Sequence, residues 1–84
     1  MARWQRRRDL EGGKELGVWL LREDGAVTEE LYVESHEYRG GNFDVYTYTD
    51  AEDWVHRGER PTAVEAFDVA RDYLADSGHP VDGE

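Results

Sequence analysis

The strongest constraint on the fold is a run of three strand-like segments separated by two glycine turns. "KELGVWLLRE" (14–23) is rich in strand formers and runs into Asp24-Gly25. That dipeptide signals a type I′ hairpin, because both central residues of the turn need positive φ. "TEELYVESHEY" (28–38) alternates polar and apolar side chains, Gly40-Gly41 marks a second turn, and "NFDVYTYT" (42–49) alternates again. The pattern predicts a three-stranded antiparallel meander. By parity, Leu16, Val18, Leu20, Leu31, Val33, Phe43 and Val45 form one apolar surface, while Trp19, Leu21, Tyr32, Tyr38, Tyr46 and Tyr48 lie on the other.

A helix is the natural cover for the first surface. Pro61 and Thr62 precede Glu65 in a T-x-x-E capping box, and Ala63, Ala66, Phe67, Ala70 and Leu74 recur at helical spacing until Gly78. Packing of Phe67, Ala70 and Leu74 on Leu20, Val33 and Val45 is expected. In "TDAEDWVHRG", Asp50 reads as the cap of a short helix over 51–57 that Gly58 ends, with an irregular loop as the alternative. Residues 1–13 read as a basic arm or as a fourth, edge strand that returns through "EGG" to pair with 14–23. The single α+β domain then spans 14–78, and 79–84 is a flexible acidic tail.

Charge is divided unevenly. The 84 residues carry a formal net charge of −10, yet Arg3, Arg6, Arg7 and Arg8 put four positive charges at the start. The rest holds six basic against twenty acidic side chains. So acidic a body repels phosphate backbones, whereas nucleic-acid binding begins with basic charge that releases counterions. Abundant Arg with a single Lys and no Ile fits GC-rich coding, and the acid excess fits a salt-adapted, halophilic proteome equally well. Without cysteine, disulfides and thiolate metal sites are excluded. No apolar run reaches membrane-spanning length, and charged residues follow the basic start where a signal peptide needs an apolar stretch. A cytoplasmic protein is expected.

Few residues point to chemistry. Glu34 and His36 share a strand face and offer half a metal site, but no second histidine stands at ligand spacing, so no metal is expected. Asp50, Glu52 and Asp53 lack the order of a calcium loop. Ser35 and His36 are sequence neighbours and point to opposite strand faces, which disfavours a Ser–His nucleophile. No glycine loop of phosphate-binding type occurs, so neither a cofactor nor an enzymatic activity is expected. The informative feature is the aromatic face. Tyrosine and tryptophan dominate interface hot spots, although strand propensity alone also places Tyr on a half-wet surface.

The C-terminal half, "VYTYTDAEDWVHRGERPTAVEAFDVARDYLADSGHPV", resembles one family of bacterial polymorphic-toxin immunity proteins. The residues that carry the resemblance are Tyr46 and Tyr48 on a tyrosine-rich strand, then Pro61, Ala66, Ala70, Tyr73 and Leu74 on a helix, then Gly78 and Pro80. It implies a non-enzymatic acidic protein that plugs the active site of a basic toxin.

The expectation is a small acidic module, immunity-like or regulatory, that binds a basic protein partner. Trp19, Tyr32, Tyr46 and Tyr48 are the contact residues, with Trp54 outlying, and the same face would serve a homodimer. The alternative is a nucleic-acid-associated regulator that uses the aromatic face together with Arg3, Trp4, Arg6, Arg7 and Arg8. No membrane partner is expected.

Overall fold

A computed structural model describes residues 1–7, 14–36 and 40–82. The chain is α+β, with strands β1 (Arg3–Arg7), β2 (Glu15–Glu23), β3 (Ala26–His36), β4 (Asn42–Thr49) and β5 (Asp53–Arg60), helix α1 (Ala63–Asp76) and strand β6 (Val81–Asp82). All six strands form one sheet in the order β5-β4-β3-β2-β1-β6, antiparallel except for the β1/β6 pair. The meander expected from the turn signals is its centre. Asp24 and Gly25 turn β2 into β3 with φ of 53° and 82°, as a type I′ turn requires.

Four expectations need correction. Residues 3–7 form the fourth strand expected to pair with 14–23 rather than an arm, but not at an edge: β1 lies between β2 and β6, with Trp4 opposite both Leu21 and Val81. The 51–57 segment is not helical. Thr49 Oγ1 accepts the Glu52 N–H at 3.0 Å in a tight turn, and β5 then pairs along β4 from Thr49↔Asp53 to Phe43↔Arg60. Pairing with an open strand edge overrides a weak local helix signal. Val81 and Asp82 pair in parallel with Trp4 and Gln5, anchored by the Trp4 N–H donating to the Pro80 carbonyl at 2.8 Å, where a flexible tail was expected.

The fourth correction concerns which way β2 faces. Trp19 stands opposite Leu31, and Gly17 opposite Val33, so Trp19 and Leu21 join the core while Val18 and Leu20 turn to the other face. From Leu16 to Leu21 both parities are apolar, so alternation alone does not choose between them. Side-chain volume does. The inward stripe of α1 includes Ala66 and Ala70, both fully buried, and the space beneath these small residues is filled by large ones, Trp4 and Trp19. Gly17 makes room for the Phe67 ring, which meets Trp19 edge-on at 5.9 Å. Thr62 caps the helix as its spacing predicts, its Oγ1 accepting the Glu65 N–H at 3.2 Å.

The core therefore comprises Ala2, Trp4, Trp19, Leu21, Leu31, Val33, Val45, Ala66, Ala70 and Leu74. Ala70 and Leu74 bury as expected, Phe67 is half-buried at the margin, and Leu20 takes no part. Trp4 Nε1 donates to Ser77 Oγ at 2.9 Å, whereas Trp19 Nε1 is buried without a hydrogen-bond partner. Burying an indole N–H unpaired costs on the order of 1–3 kcal/mol, which the ring's packing must offset.

Candidate functional site

The helix covers one face of the sheet, and among the described residues no element covers the other. Strand register arranges that open face in cross-strand rows. One row runs Gln5, Leu20, Glu30, Tyr48, Trp54, the next runs Arg7, Val18, Tyr32, Tyr46, His56, and a third runs Glu15, Glu34, Asp44, Glu59. Two aromatic rows thus lie beside an acidic one.

The aromatic rows are packed together. Trp54 lies 5.3 Å from the Tyr32 ring and 5.1 Å from the Tyr48 ring, centroid to centroid, and is still 54% exposed. Tyr46 lies 5.1 Å from the His56 ring and 6.4 Å from His36. Tyr32 donates its hydroxyl proton to Glu30, and its pKa is pushed up by burial first and by that bond second. The phenol stays neutral and fixed at physiological pH.

In the acidic row, Glu34 and Asp44 are both buried and directly opposite one another, an unfavourable pairing unless cations or donors intervene. Histidines supply the intervening groups. His36 Nδ1 lies 2.5 Å from Asp44 Oδ2 and its Nε2 lies 3.3 Å from Glu34 Oε1, so each ring nitrogen faces a carboxylate. His56 Nε2 reaches Asp44 Oδ1 at 2.8 Å, and Lys14 Nζ stands 3.7 Å from Glu34. An open pocket of about 460 Å3 lies over this cluster, lined by His36, Asn42, Asp44, Tyr46, His56 and Glu59.

A carboxylate that orients imidazoles is a familiar catalytic element, but it requires a nucleophile or a bound reactant to act on. Ser35, the adjacent hydroxyl, belongs to the row Ser35, Phe43, Arg60 on the helix side. Among the described residues no three His, Asp or Glu side chains are grouped to hold a metal ion. The histidines and Asp44 are bonded to one another instead.

Of the predicted contact residues, Tyr32, Tyr46, Tyr48 and Trp54 come together on the open face. Trp54 is central rather than outlying. Trp19 is not a contact residue, being 1% exposed beneath α1. Tyr38 and Arg8 lie outside the described residues. The other arm residues are built into the fold: Trp4 is fully buried, Arg3 Nε donates to Asp82 Oδ1 at 2.6 Å, and the Arg6 guanidinium lies 5.0 Å from the Trp19 ring on the helix side. Arg7 alone shares a row with the aromatic residues.

Sequence reasoning missed the Asp44–His56 contact, because it depends on β5 being a strand. The available signal was the alternation of Trp54 and His56 with Val55 and Arg57 after a run of turn-forming residues. No protein-family model, curated protein or solved structure matches the chain.

Proposed function

We propose that this chain is a small, non-enzymatic binding module that takes a basic protein partner on the open face of its sheet. The carrying observation is Trp54, more than half exposed and held between Tyr32 and Tyr48 on a face that no described element covers. A ring fixed by its neighbours loses little entropy on binding, which is the property of an interface anchor. The row of four carboxylates on the same face, on a chain of net charge −10, favours a cationic partner and speeds its approach. This reading includes the immunity-type role, in which the partner is a basic toxin. Nucleic acid is the weaker reading, since Trp4 has no exposed ring with which to stack on a base and Arg3 and Arg6 are engaged within the fold.

The test is affinity capture from the source cell with wild type, Trp54→Ala and Tyr48→Ala baits, followed by titration of the purified captured protein. A basic protein retained by wild type and weakened by Trp54→Ala by ~30-fold or more, about 2 kcal/mol, supports the reading. Capture that is indifferent to both substitutions, or recovery of nucleic acid in its place, overturns it.

A further inference from the structure

We propose that the Trp54 patch takes a proline-rich segment of the partner, in the polyproline II conformation and flanked by basic residues. The inference rests on the binding-module reading and names the chemistry that the patch selects.

The patch is suited to proline in two ways. First, its rings are inclined rather than stacked. Trp54 makes an angle of 57° with the Tyr32 ring and 54° with the Tyr48 ring, and is 54% exposed. Aromatic faces are electron-rich, and the methylenes of a pyrrolidine ring, made electron-poor by the amide nitrogen they adjoin, pack against them. Second, the same rings carry unused donors. Neither the Trp54 indole N–H nor the Tyr48 hydroxyl has a hydrogen-bond partner among the described residues, whereas the Tyr32 hydroxyl is committed to Glu30.

A polyproline II segment offers what those donors lack. It makes no internal hydrogen bonds, so its carbonyls are free to accept, and proline brings no N–H that would itself need a partner. A helix has already used its carbonyls, and an added strand pairs at a sheet edge rather than on a face. The segment is also extended before it binds, so it loses little entropy against rings that their neighbours already hold. Charge decides the flanks. The carboxylate row on the same face and the net charge of −10 draw in basic residues on either side of the prolines. The same charge opposes a second copy of this chain laid face to face.

The experiment uses the whole chain and synthetic peptides, so it does not require the partner. A hexaproline peptide ending in two arginines is compared with its counterpart in which alanine replaces every proline, and with one in which glutamate replaces both arginines. Trp4 and Trp19 are buried, so the third indole 1H–15N signal reports on the patch. The proline–arginine peptide is expected to bind saturably, with a dissociation constant on the order of 0.1–1 mM, and to shift the Trp54 indole signal. The alanine and glutamate peptides should each bind at least ~tenfold more weakly. Trp54→Ala should abolish binding. Trp54→Phe, which keeps a ring without the N–H, and Tyr48→Phe should each weaken it about fivefold, the scale of one hydrogen bond, while Tyr32→Phe changes it by less than about twofold.

An alanine or glutamate peptide as tight as the proline–arginine one overturns the proposal. So does an unmoved Trp54 indole, or equal losses in Tyr32→Phe and Tyr48→Phe. A wild-type dimer that Trp54→Ala converts to monomer, seen by sedimentation, would assign the face to a second copy and overturn it too. Peptide failure with partner capture still lost in Trp54→Ala removes the proline segment alone. Specific peptide binding with capture indifferent to Trp54 and Tyr48 removes the partner reading and leaves the peptide site standing.

Discussion

The two faces of this sheet are made from the same strands by alternate residues, yet they solve opposite problems. On the helix face, large rings meet small residues: Trp4 and Trp19 fill the space beneath Ala66 and Ala70, and Gly17 admits Phe67. The centre of that face is apolar packing whose worth is set by volume, with hydrogen bonds such as Trp4 to Ser77 and Tyr73 to Glu29 among it. On the open face, rings pack against rings with no described element covering them, and buried carboxylates are held by histidines. Stability does not require Trp54 to stand half in water, nor Asp44 to be bonded by two imidazoles beside an open pocket. The difference separates residues that hold the fold from residues that are available for contact.

The largest effect should come from exchanging tryptophan for alanine on each face in turn. Trp4→Ala removes a fully buried ring and its hydrogen bond to Ser77, and should cost ~3–5 kcal/mol, a large part of the stability of so small a domain. Trp54→Ala, at an exposed position, should cost about 1 kcal/mol or less. Urea unfolding followed by circular dichroism measures both. Similar losses at the two sites would mean that the open face is as much a core as the other, and would remove the ground for reading it as a contact surface.

The central hairpin and the helix cap were legible because each has a local cause. Asp24-Gly25 adopts the positive φ values its turn type demands, and Thr62 accepts the N–H three residues on. What was not legible depended on pairing between distant segments. The eight residues of β5 include Asp53, Arg57, Glu59 and Arg60, a charged edge strand whose alternation is diluted by solvent-facing side chains. Reading it as a helix hid the register that sets His56 against Tyr46 and brings it to Asp44. The two residues of β6 carry no periodicity at all, and the facing of β2 was ambiguous because both of its parities are apolar. Only the fit of tryptophan against alanine resolves that choice.

A middle-sized effect should sharpen the volume argument for the helix face. A Cβ built at Gly17 lies 2.9 Å from Phe67 Cε1 and 3.0 Å from two atoms of the Trp19 ring. Gly17→Ala should therefore destabilise by ~1–3 kcal/mol through overpacking, despite the better strand propensity of alanine. Gly17→Ala with Phe67→Leu should recover part of that loss, since the smaller side chain vacates the contact. A double variant no more stable than Gly17→Ala would mean that the strain lies against Trp19 or in the bulged backbone around 15–17 rather than against Phe67.

The smallest expected effect compares the faces through a motif they share. Glu29 and Glu30 are neighbours on β3 and point to opposite sides, and each accepts a phenol hydroxyl, Glu29 from Tyr73 on α1 and Glu30 from Tyr32 on the open face. Burial, followed by the bond to Glu29, raises the Tyr73 pKa from 10.0 to about 12, and the same causes push Tyr32 upward. A folded-state pKa above the unfolded value means that the contribution is complete below pH 10. It declines as the unfolded phenol alone ionises, and is lost as pH rises through about 12. The urea midpoint of wild type should therefore approach that of Tyr73→Phe between pH 10 and 11, after a constant gap from pH 7 to 9. Tyr32→Phe should show the same convergence. The Tyr73 hydroxyl joins helix to sheet, so its removal should also speed exchange of the amides of the last turn of α1 at neutral pH, while Tyr32→Phe leaves that turn unaffected. A gap for Tyr73→Phe that persists unchanged through pH 11 would show its hydroxyl titrating as it does in the unfolded chain, and would remove the Glu29 bond as a tie between helix and sheet.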